Sequence, residues 1–557
     1  MARFGLIGSS YTSQSPIADC QRTMNWYQEN IESQMGSSSA ALYPTPGLSV
    51  WATGDRPVRG ELEINGRMFS VGGGKFYEWD SSGTPTVRGL VENDLQPVTM
   101  ATNGTLGNQV MICSAGSLYL FDISKDTLTS NTFTKIGSLQ GIPSMVVFCS
   151  SYFVALLSGK DGNKFQVSNL LDGSIWNPLG VQQNETFPEN ISSIVSAYGF
   201  LFVLGQGGHS QVYYNSGAIQ YTPFSQISGA YMEEGCGAPL SPVVMDNTVF
   251  WLGGRDGKAD VAWRANGYTP VRVSNFGFET AVASYPAKGS DAVGYTYRDQ
   301  GHTFWVLRFP SANGGIGATW VYDAATQQWH ERGYWSQQGP TGYSAHLSTC
   351  HAFVFGKHLV GDWNSGNIYA MDINTRTDNG NMIRLWRRSP HLAAERARIF
   401  LDSLQIDVEV GLGPEAPLES LNPPMEQPGI SEAGKLVITD QSGGRYALSV
   451  NSTDGSLATN SLSPAPPNPP FYRGPQLSVS ISRDGSKTFG PEHLLDCGQA
   501  GEFRKRVILR RLGQARDFVF DIVATDPVPW QIIEGYVEGT GFQSPTQRYQ
   551  KQIAQVQ

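Results

Sequence analysis

The stretch Gly74-Lys75-Phe76-Tyr77-Glu78-Trp79-Asp80 decides the fold, because its pattern returns along the chain. The pattern is glycine, any residue, an apolar residue, tyrosine, any residue, a bulky apolar residue and aspartate. It recurs at 116–122 and 366–372, and a looser copy lies at 317–323. Glycine supplies a positive φ, aromatic residues suit a half-buried pleated surface, and aspartate can hydrogen-bond its own backbone in a turn. Each copy is therefore predicted to be one strand between two tight turns.

The spacing of these copies predicts an all-β protein built around a β-propeller. The aspartates at 80 and 122 are 42 residues apart and those at 323 and 372 are 49 apart, close to the period of propeller blades. Three degenerate copies fill the interval between the aspartates at 122 and 323. They lie at Lys164–Ser168, Gln211–Gly217 and Asp260–Gly267. The resulting seven units favour seven degenerate blades, although six would fit nearly as well. Radial closure of four-stranded sheets buries each blade against its neighbours.

A second module follows the propeller. Leu404–Val410 and Leu477–Ser482 alternate apolar and polar residues, which is typical of strands with one buried face. Asp484-Gly485 is a strong hairpin signal after the second of them. With further strands at Arg506–Arg511, Asp517–Val523 and Ile532–Val537, the pattern predicts a C-terminal antiparallel β-sandwich.

The predicted domains have the following boundaries. Residues 1–58 form a mostly irregular arm with a short helix near Cys20–Met35, and residues 59–392 form the propeller. Residues 393–538 form the sandwich, with a proline-rich insertion at 411–474 that contains a hairpin of Lys435–Thr439 and Tyr446–Val450. Residues 539–557 form a polar tail. Within the propeller, the apolar run Met145–Leu157 is predicted to be one strand.

Composition excludes several classes of protein. The 557 residues carry a net charge of −9 with a pI near 5.5, which argues against a protein that coats nucleic acid. The six cysteines form no Cys-x-x-Cys pair, so neither a disulfide framework nor a zinc site is expected. The apolar run Phe4–Ile7 is too short for a signal-peptide core, and no run is long enough to span a membrane.

No catalytic, metal or cofactor site is predicted. Gly72-Gly73-Gly74-Lys75 lacks the Ser or Thr and the helix that a phosphate loop requires. Cys350 and His351 would point to opposite faces of a strand and could not act as nucleophile and base. Glu233 and Glu234 lack any feature that would fix a pair of catalytic carboxylates.

Two basic stretches are the candidate contact sites. Arginine beside a strand suits bidentate pairing with carboxylates of another chain or with phosphate, and it equally suits a solvated edge that deters aggregation. The candidate residues are Arg384, Arg387, Arg388, Arg396, Arg398, Arg504, Lys505, Arg506, Arg510, Arg511 and Arg516.

These C-terminal residues also carry a family resemblance. The segment Arg510-Arg511-Leu512-Gly513-Gln514-Ala515-Arg516 resembles the C-terminal module of the packaged-DNA stabilisation proteins, the tail hub or nozzle subunits of short-tailed bacteriophages. Asn25-Trp26-Tyr27-Gln28-Glu29 and Pro46-Gly47-Leu48 are similar to the N-terminal opening of that family. The resemblance covers about residues 20–538, and the insertion 411–474 is longer than the family leads us to expect.

The resemblance implies a structural virion protein and no enzyme. It implies a homo-oligomer, a hexamer, that sits below the head-to-tail adaptor and portal and extends the channel for packaged double-stranded DNA. Such a subunit retains the genome and anchors a tail fibre or tailspike and a tail needle or tip. It is made in the bacterial host cytoplasm and is part of the phage tail, without a membrane span or cofactor. On this reading the basic stretches are subunit, adaptor or DNA contacts.

A kelch-like propeller enzyme or a carbohydrate-binding lectin is the alternative, since a β-sandwich also accompanies such propellers. A signal peptide and a cluster of metal or carboxylate ligands at the mouth of the propeller would favour it. The sequence shows neither feature.

Overall fold

In a computed structural model of the chain, all seven copies of the repeat lie in the third strands of seven antiparallel four-stranded units, five of which are separate sheets and two of which are parts of larger sheets. The units are the blades of a β-propeller, and their first strands line one central cavity. The prediction of a seven-bladed propeller is confirmed. Blade 1 consists of Val58–Ile64, Arg67–Gly72, Lys75–Trp79 and Pro85–Leu90, and blade 2 of Thr99–Thr102, Gln109–Ser114, Ser117–Asp122 and Phe133–Ile136. Blade 3 consists of Ile142–Cys149, Tyr152–Ser158, Lys164–Asn169 and Asp172–Gln183, and blade 4 of Ile191–Ala197, Phe200–Gly205, Ser210–Asn215 and Phe224–Met232. Blade 5 consists of Val243–Met245, Thr248–Gly253, Val261–Asn266 and Thr269–Arg272, and blade 6 of Val293–Asp299, His302–Phe309, Ala318–Asp323 and Gln328–Glu331. Blade 7 consists of Ser348–Val354, Lys357–Asp362, Asn367–Asp372 and Gly47–Thr53.

The structure describes residues 2–33, 38–126, 132–184, 186–187, 189–218, 222–254, 258–394, 397–410, 474–498 and 505–540, and the backbone of four strands between 430 and 461. The helices are Gly104–Gly107 and Phe276–Ala283, with 3-10 turns at Gly159–Asp161 and Ala312–Gly315. Over these ranges, no helix has the length and apolar character needed to cross a membrane. The predicted polar tail lies outside the described residues from 541 onward.

The aspartates of the repeat open the next turn, as predicted. Asp80 Oδ1 accepts hydrogen bonds from the backbone N–H groups of Ser82 and Thr84, both at 2.9 Å. The aspartates at 122, 323 and 372 each accept one from the residue two positions later, at 2.8–3.1 Å. These side chains satisfy turn donors that would otherwise have no partner.

The glycines of the repeat follow the prediction at only two positions. Gly116 and Gly317 have φ values of +73° and +78°, whereas Gly74 and Gly366 lack a positive φ. Gly366 is required for a different reason, because a Cβ there would lie 2.0 Å from the carbonyl oxygen of Gly54. The expectation of a positive φ at all copies is therefore wrong, and close backbone approach explains the glycine at 366.

The prediction that residues 1–58 form a mostly irregular arm is wrong. Gly47–Thr53, the closing strand, pairs with Asn367–Asp372 and completes blade 7, so the beginning and the end of the propeller share one sheet. Over the described residues 20–33, no helix forms where one was predicted. The segment contains strands instead, because Trp26 and Leu42 are buried in the sandwich core and packing there overrides local preference.

A continuous sheet joins the propeller to the sandwich. Cys20–Met24, the joint strand, makes a parallel bridge to the last strand of blade 6 and pairs with Leu385–Arg388 on its other side. From there the sheet continues into the sandwich through Asp517–Ala524, Gln476–Ser482 and His493–Asp496. At Asn25, with φ +60°, the chain leaves this sheet, and its side-chain amide exchanges two hydrogen bonds with the backbone of Gly333.

The second sheet of the sandwich also uses the N-terminal segment. Its strands, in spatial order, are Trp26–Asn30, Ala40–Pro44, Gln531–Thr540, Ile399–Glu409 and Val507–Ala515, with Ala2–Arg3 paired to Gln531–Thr540. Phe4, Leu6 and Trp530 are fully buried between the two sheets. The remaining strands are Tyr11–Thr12, Gly333–Gln338, Gly342–Ala345, Thr377–Asp378, Asn381–Met382, Leu392–Ala393, Ile430–Ser431, Lys435–Thr439, Arg445–Val450 and Leu457–Ser461. The hairpin predicted in the insertion is present as Lys435–Thr439 paired with Arg445–Val450.

Candidate assembly surface

Arg387 lies inside the chain, so the prediction that it contacts another chain or DNA is wrong. Its guanidinium is fully buried and donates hydrogen bonds to the carbonyl oxygens of Leu6 and Ser9, at 2.7 and 3.2 Å. It also donates to Gln21 Oε1 at 2.7 Å and to Thr23 Oγ1 at 2.8 Å. Burial lowers the pKa of Arg387 to about 9. The side chain fastens the N-terminal segment to the joint sheet.

Two neighbouring arginines serve contacts within the chain. Arg388 pairs with both carboxylate oxygens of Asp521 at 2.7 Å and lies over the ring of Phe489 at 4.4 Å. Arg384 lies over the ring of Trp335 at 4.5 Å. Bidentate pairing and ring stacking are characteristic uses of guanidinium groups. These contacts account for Arg384, Arg387 and Arg388 without an external partner.

The remaining candidates separate into three groups. Lys505 forms an ion pair with Asp496. Arg396 and Arg504 lie outside the described residues. Five arginines are exposed and form no ion pair with any described acidic residue, namely Arg398, Arg506, Arg510, Arg511 and Arg516.

Four of these five arginines lie on or beside one edge strand. The strand Val507–Ala515, which we call the arginine edge strand, is the last strand of its sheet. Hydrogen-bonded pairing in that sheet joins it only to Ile399–Glu409 among the described strands, so its other edge has no paired strand, although the carbonyl oxygen of Leu512 accepts a hydrogen bond from Arg483 at 2.9 Å. A bulge near Arg511, where φ is +61°, interrupts the register opposite Leu401 and Ser403. Charged residues and bulges are common protections of sheet edges.

Acidic residues lie on the same sheet beside the arginines. Arg510 is opposite Ser403 in the neighbouring strand, and Ser403 is in turn opposite Glu538 in the next strand of the sheet, Gln531–Thr540. With strands about 4.8 Å apart, the backbones of Arg510 and Glu538 are about 10 Å apart. Four carboxylates here have no basic partner in the described part of the chain, namely Asp402, Asp407, Glu409 and Glu538.

An exposed aromatic residue lies among these charges. The Phe400 side chain is 51% exposed, although the residues on either side of it in the strand, Ile399 and Leu401, are buried in the sandwich core. Phe400 therefore points away from the core, on the same side as Ser403 and Arg510. We call the surface formed by Phe400, Asp402, Glu538, Arg510 and Arg511 the outer sheet face. Sequence reasoning missed its acidic and aromatic members because they come from strands far apart in the chain.

Cys350 and His351, which were rejected above as nucleophile and base, have different neighbours in the structure. His351 Nε2 lies 2.9 Å from His358 Nδ1, and burial lowers the pKa of His351 to about 3. Cys350 lies on the other side, next to Glu61, and burial raises the pKa of its thiol. Over the described ranges, no three His, Cys, Asp or Glu side chains converge in a way that could hold a metal ion.

The propeller axis is too narrow for DNA. The central cavity has a volume of about 550 Å³ and is lined by the first strands of all seven blades. That volume is in the range of small-molecule pockets. A double helix therefore cannot pass along the axis of this propeller.

Glu61, in the first strand of blade 1, predicts a pH dependence of stability. Its two carboxylate oxygens are buried and make no hydrogen bond of normal geometry with the described residues. Burial raises the pKa of Glu61 from 4.5 to about 8, and the Cys350 thiol offsets this only in part. Because the unfolded chain loses this proton at lower pH than the folded chain, folding stability falls as pH rises from 4.5 to 8.

The variant Glu61→Gln is expected to lose that pH dependence and to be more stable at pH 8 by on the order of 2 kcal/mol. Denaturant unfolding of both chains at pH 5 and pH 8 measures the difference. Glu63→Gln is the matched control, since Glu63 is an exposed residue of the same strand. An equal pH dependence in E61Q and the unaltered chain would contradict the assignment of a buried, protonated carboxyl.

Two protein-family models match the chain. A family model described as "Bacteriophage P22 Gp10, beta-propeller" matches residues 22–376, more than half of the chain. The chain belongs to this Gp10 family. A second model, "Bacteriophage P22 Gp10, beta-sandwich", matches residues 464–540. A Gp10-family chain is a structural phage protein, which makes it a virion component with virion assembly partners and favours a non-enzymatic role.

Other comparisons add little. No curated protein sequence matches the chain. Among solved structures, the N-terminal domain of Nup159 is 13% identical, covering 63% of this chain and 98% of that chain, with a TM-score of 0.35. The WD40 propeller domain of Doa1 is 10% identical, covering 58% and 96%, with a TM-score of 0.36. Virginiamycin B lyase from Staphylococcus aureus is 10% identical, covering 57% and 96%, with a TM-score of 0.37. These similarities are too low to bear on function.

Proposed function

We propose that the chain is a tail hub or nozzle subunit of a short-tailed phage. Copies of it form a ring, a hexamer, that extends the channel of the portal and head-to-tail adaptor. The ring retains packaged DNA after the head is filled and anchors a fibre or spike and the tail tip. The observation that carries this proposal is that models of both the propeller and the sandwich of P22 Gp10 match the chain in order.

The dimensions of the propeller support a channel between subunits. Because the cavity on the propeller axis has only about 550 Å³, DNA would pass through the centre of the ring and not through a propeller. The net charge of −9 is compatible with this path. A wall with few clustered basic residues adds little counterion-release affinity at each contact, so DNA can slide out.

The continuous joint sheet supports a role as a rigid spacer. The sheet runs from the centre of the propeller through blade 6 into the sandwich without a break in strand pairing. Arg387 and the joint strand hold the two modules together from within. A rigid subunit with loops on both faces suits a structural ring in which neighbours attach to the loops.

Phage particles assembled with and without the chain test the proposal. Particles that lack it are expected to fill with DNA and then lose it, so the amount of nuclease-protected DNA falls. Electron microscopy of complete particles is expected to show the chain as a ring directly below the adaptor. Absence of the chain from purified particles, or full DNA retention without it, would contradict the proposed function.

A further inference from the structure

We propose that the outer sheet face binds a second copy of this chain, with the arginine edge strand of one copy against the acidic row of the next. The acidic row consists of Asp402, Asp407, Glu409 and Glu538. The inference rests on the proposed function, because it names the surface through which the ring would form. It also assigns roles to exposed residues that the contacts within one chain leave unexplained.

Charge complementarity is the first argument. Exposed arginines without acidic partners and carboxylates without basic partners lie on one sheet, about 10 Å apart at Arg510 and Glu538. Side chains of this length could span that separation, yet among the described residues no ion pair within 4 Å joins the two groups. A neighbouring copy that presents its acidic row to the arginine edge strand would satisfy that edge, and its own arginine edge strand would remain for the next copy. Contact between the arginine edge strand of one copy and the acidic row of the next is head-to-tail, which is the kind that closes into a ring.

The exposed aromatic residue is the second argument. Phe400 is 51% exposed, lies opposite the uncharged residues Gln514 and Thr540, and has charged residues two positions away on both sides along the chain, Arg398 and Asp402. An apolar centre with a polar rim is the usual arrangement of an interface between proteins, and aromatic and arginine residues dominate binding energy there. A merely solvated, protective edge would not require an exposed phenylalanine.

The open edge is the third argument. The outward edge of Val507–Ala515 leaves backbone groups without strand partners among the described residues. A strand or loop of a neighbouring subunit can hydrogen-bond to such an edge. Arg506 and Arg516 flank the strand and would border that contact.

The same geometry disfavours DNA as the occupant. Asp402 and Glu538 lie close to Arg510, within or near the Debye length of about 8–10 Å at physiological salt. Their charges would repel phosphate as the arginines attract it. A protein surface with both signs of charge avoids this conflict, so we commit to a second copy.

Charge reversal tests the contact. The double variant Arg510→Glu and Arg511→Glu is expected to weaken self-association at least tenfold, as measured by sedimentation or native mass spectrometry. The complementary variant Asp402→Arg and Glu538→Arg is expected to weaken it similarly. A mixture of the two variants is expected to assemble again, with the two chains alternating, because each reversed edge then meets a reversed row.

A control variant separates this surface from general charge effects. Arg298→Glu with Lys357→Glu makes the same change in net charge on exposed residues of the propeller and is expected to assemble like the unaltered chain. Circular dichroism and thermal unfolding of every variant show whether it is folded.

Three outcomes would overturn the inference. They are a chain that does not self-associate at all, an arginine variant that assembles normally, and a mixture of variants that does not recover. If the arginine variant assembles normally and also binds duplex DNA less tightly, the arginines are assigned to DNA. If the arginine variant still forms the ring below the adaptor in particles, the proposed function stands and only this surface is wrong.

Discussion

The variant Arg387→Met is expected to lower the free energy of unfolding by about 3–5 kcal/mol. Methionine fills a similar volume but donates no hydrogen bond. Two carbonyl oxygens, of Leu6 and Ser9, and the side-chain oxygens of Gln21 and Thr23 would lose the donor that the guanidinium supplies. Each buried acceptor left without a partner costs about 1–3 kcal/mol.

Denaturant unfolding, followed by far-UV circular dichroism, measures the loss. Limited proteolysis is expected to cleave the N-terminal segment of the variant faster, because its attachment to Leu385–Arg388 is weakened. Arg516→Met is the control, since Arg516 is exposed, and it is expected to change stability by less than about 0.5 kcal/mol. Equal stability of the R387M and R516M variants would show that the buried hydrogen bonds contribute nothing net.

Local sequence signals predicted much of the propeller but missed its tight hairpins. Four of the third strands were found because each carries aromatic residues and ends at or just before an aspartate that caps a turn. The run Met145–Leu157 was predicted as one strand, whereas the chain turns back at Ser150-Ser151, where φ is +46° and +75°. Serine in this conformation gives no glycine or proline signal, so the turn depends on tertiary packing.

The role of the N-terminal segment could not be predicted from local patterns. Its closing strand pairs with residues more than 300 positions later, and its joint strand connects blade 6 to strands from the C-terminal part of the chain. Such pairings depend on the folded arrangement of the blades. Without that arrangement, the segment could only be predicted as a mostly irregular arm.

The candidate site, too, could not be predicted in full from local sequence patterns. Arg387 and Arg388 are adjacent in sequence, but successive residues of a strand point to opposite faces. One is fully buried by the N-terminal segment and the other pairs with Asp521. The sequence identified the arginines as candidates. Only the folded structure distinguishes the arginines that make contacts within the chain from the exposed arginines at Val507–Ala515.

The closing strand provides the second large prediction. Leu48→Ala is expected to lower the free energy of unfolding by about 2–5 kcal/mol, because Leu48 is fully buried against Tyr369 and Val360 and its truncation leaves a cavity. Val50→Ala, in the same strand, is the matched control, since Val50 is 49% exposed and is expected to have little effect. Denaturant unfolding of the two variants measures the difference.

The same pair of variants tests whether ring closure stabilises the whole propeller. The closing strand completes blade 7 and leads directly into blade 1, so its loss removes the connection between the first and last blades. If closure is cooperative, hydrogen exchange in the Leu48→Ala variant is expected to speed up in blade 3 as well as in blade 7. Faster exchange confined to blade 7 would mean that the closing strand stabilises only its own sheet, because the other blades would then keep their packing without a closed ring.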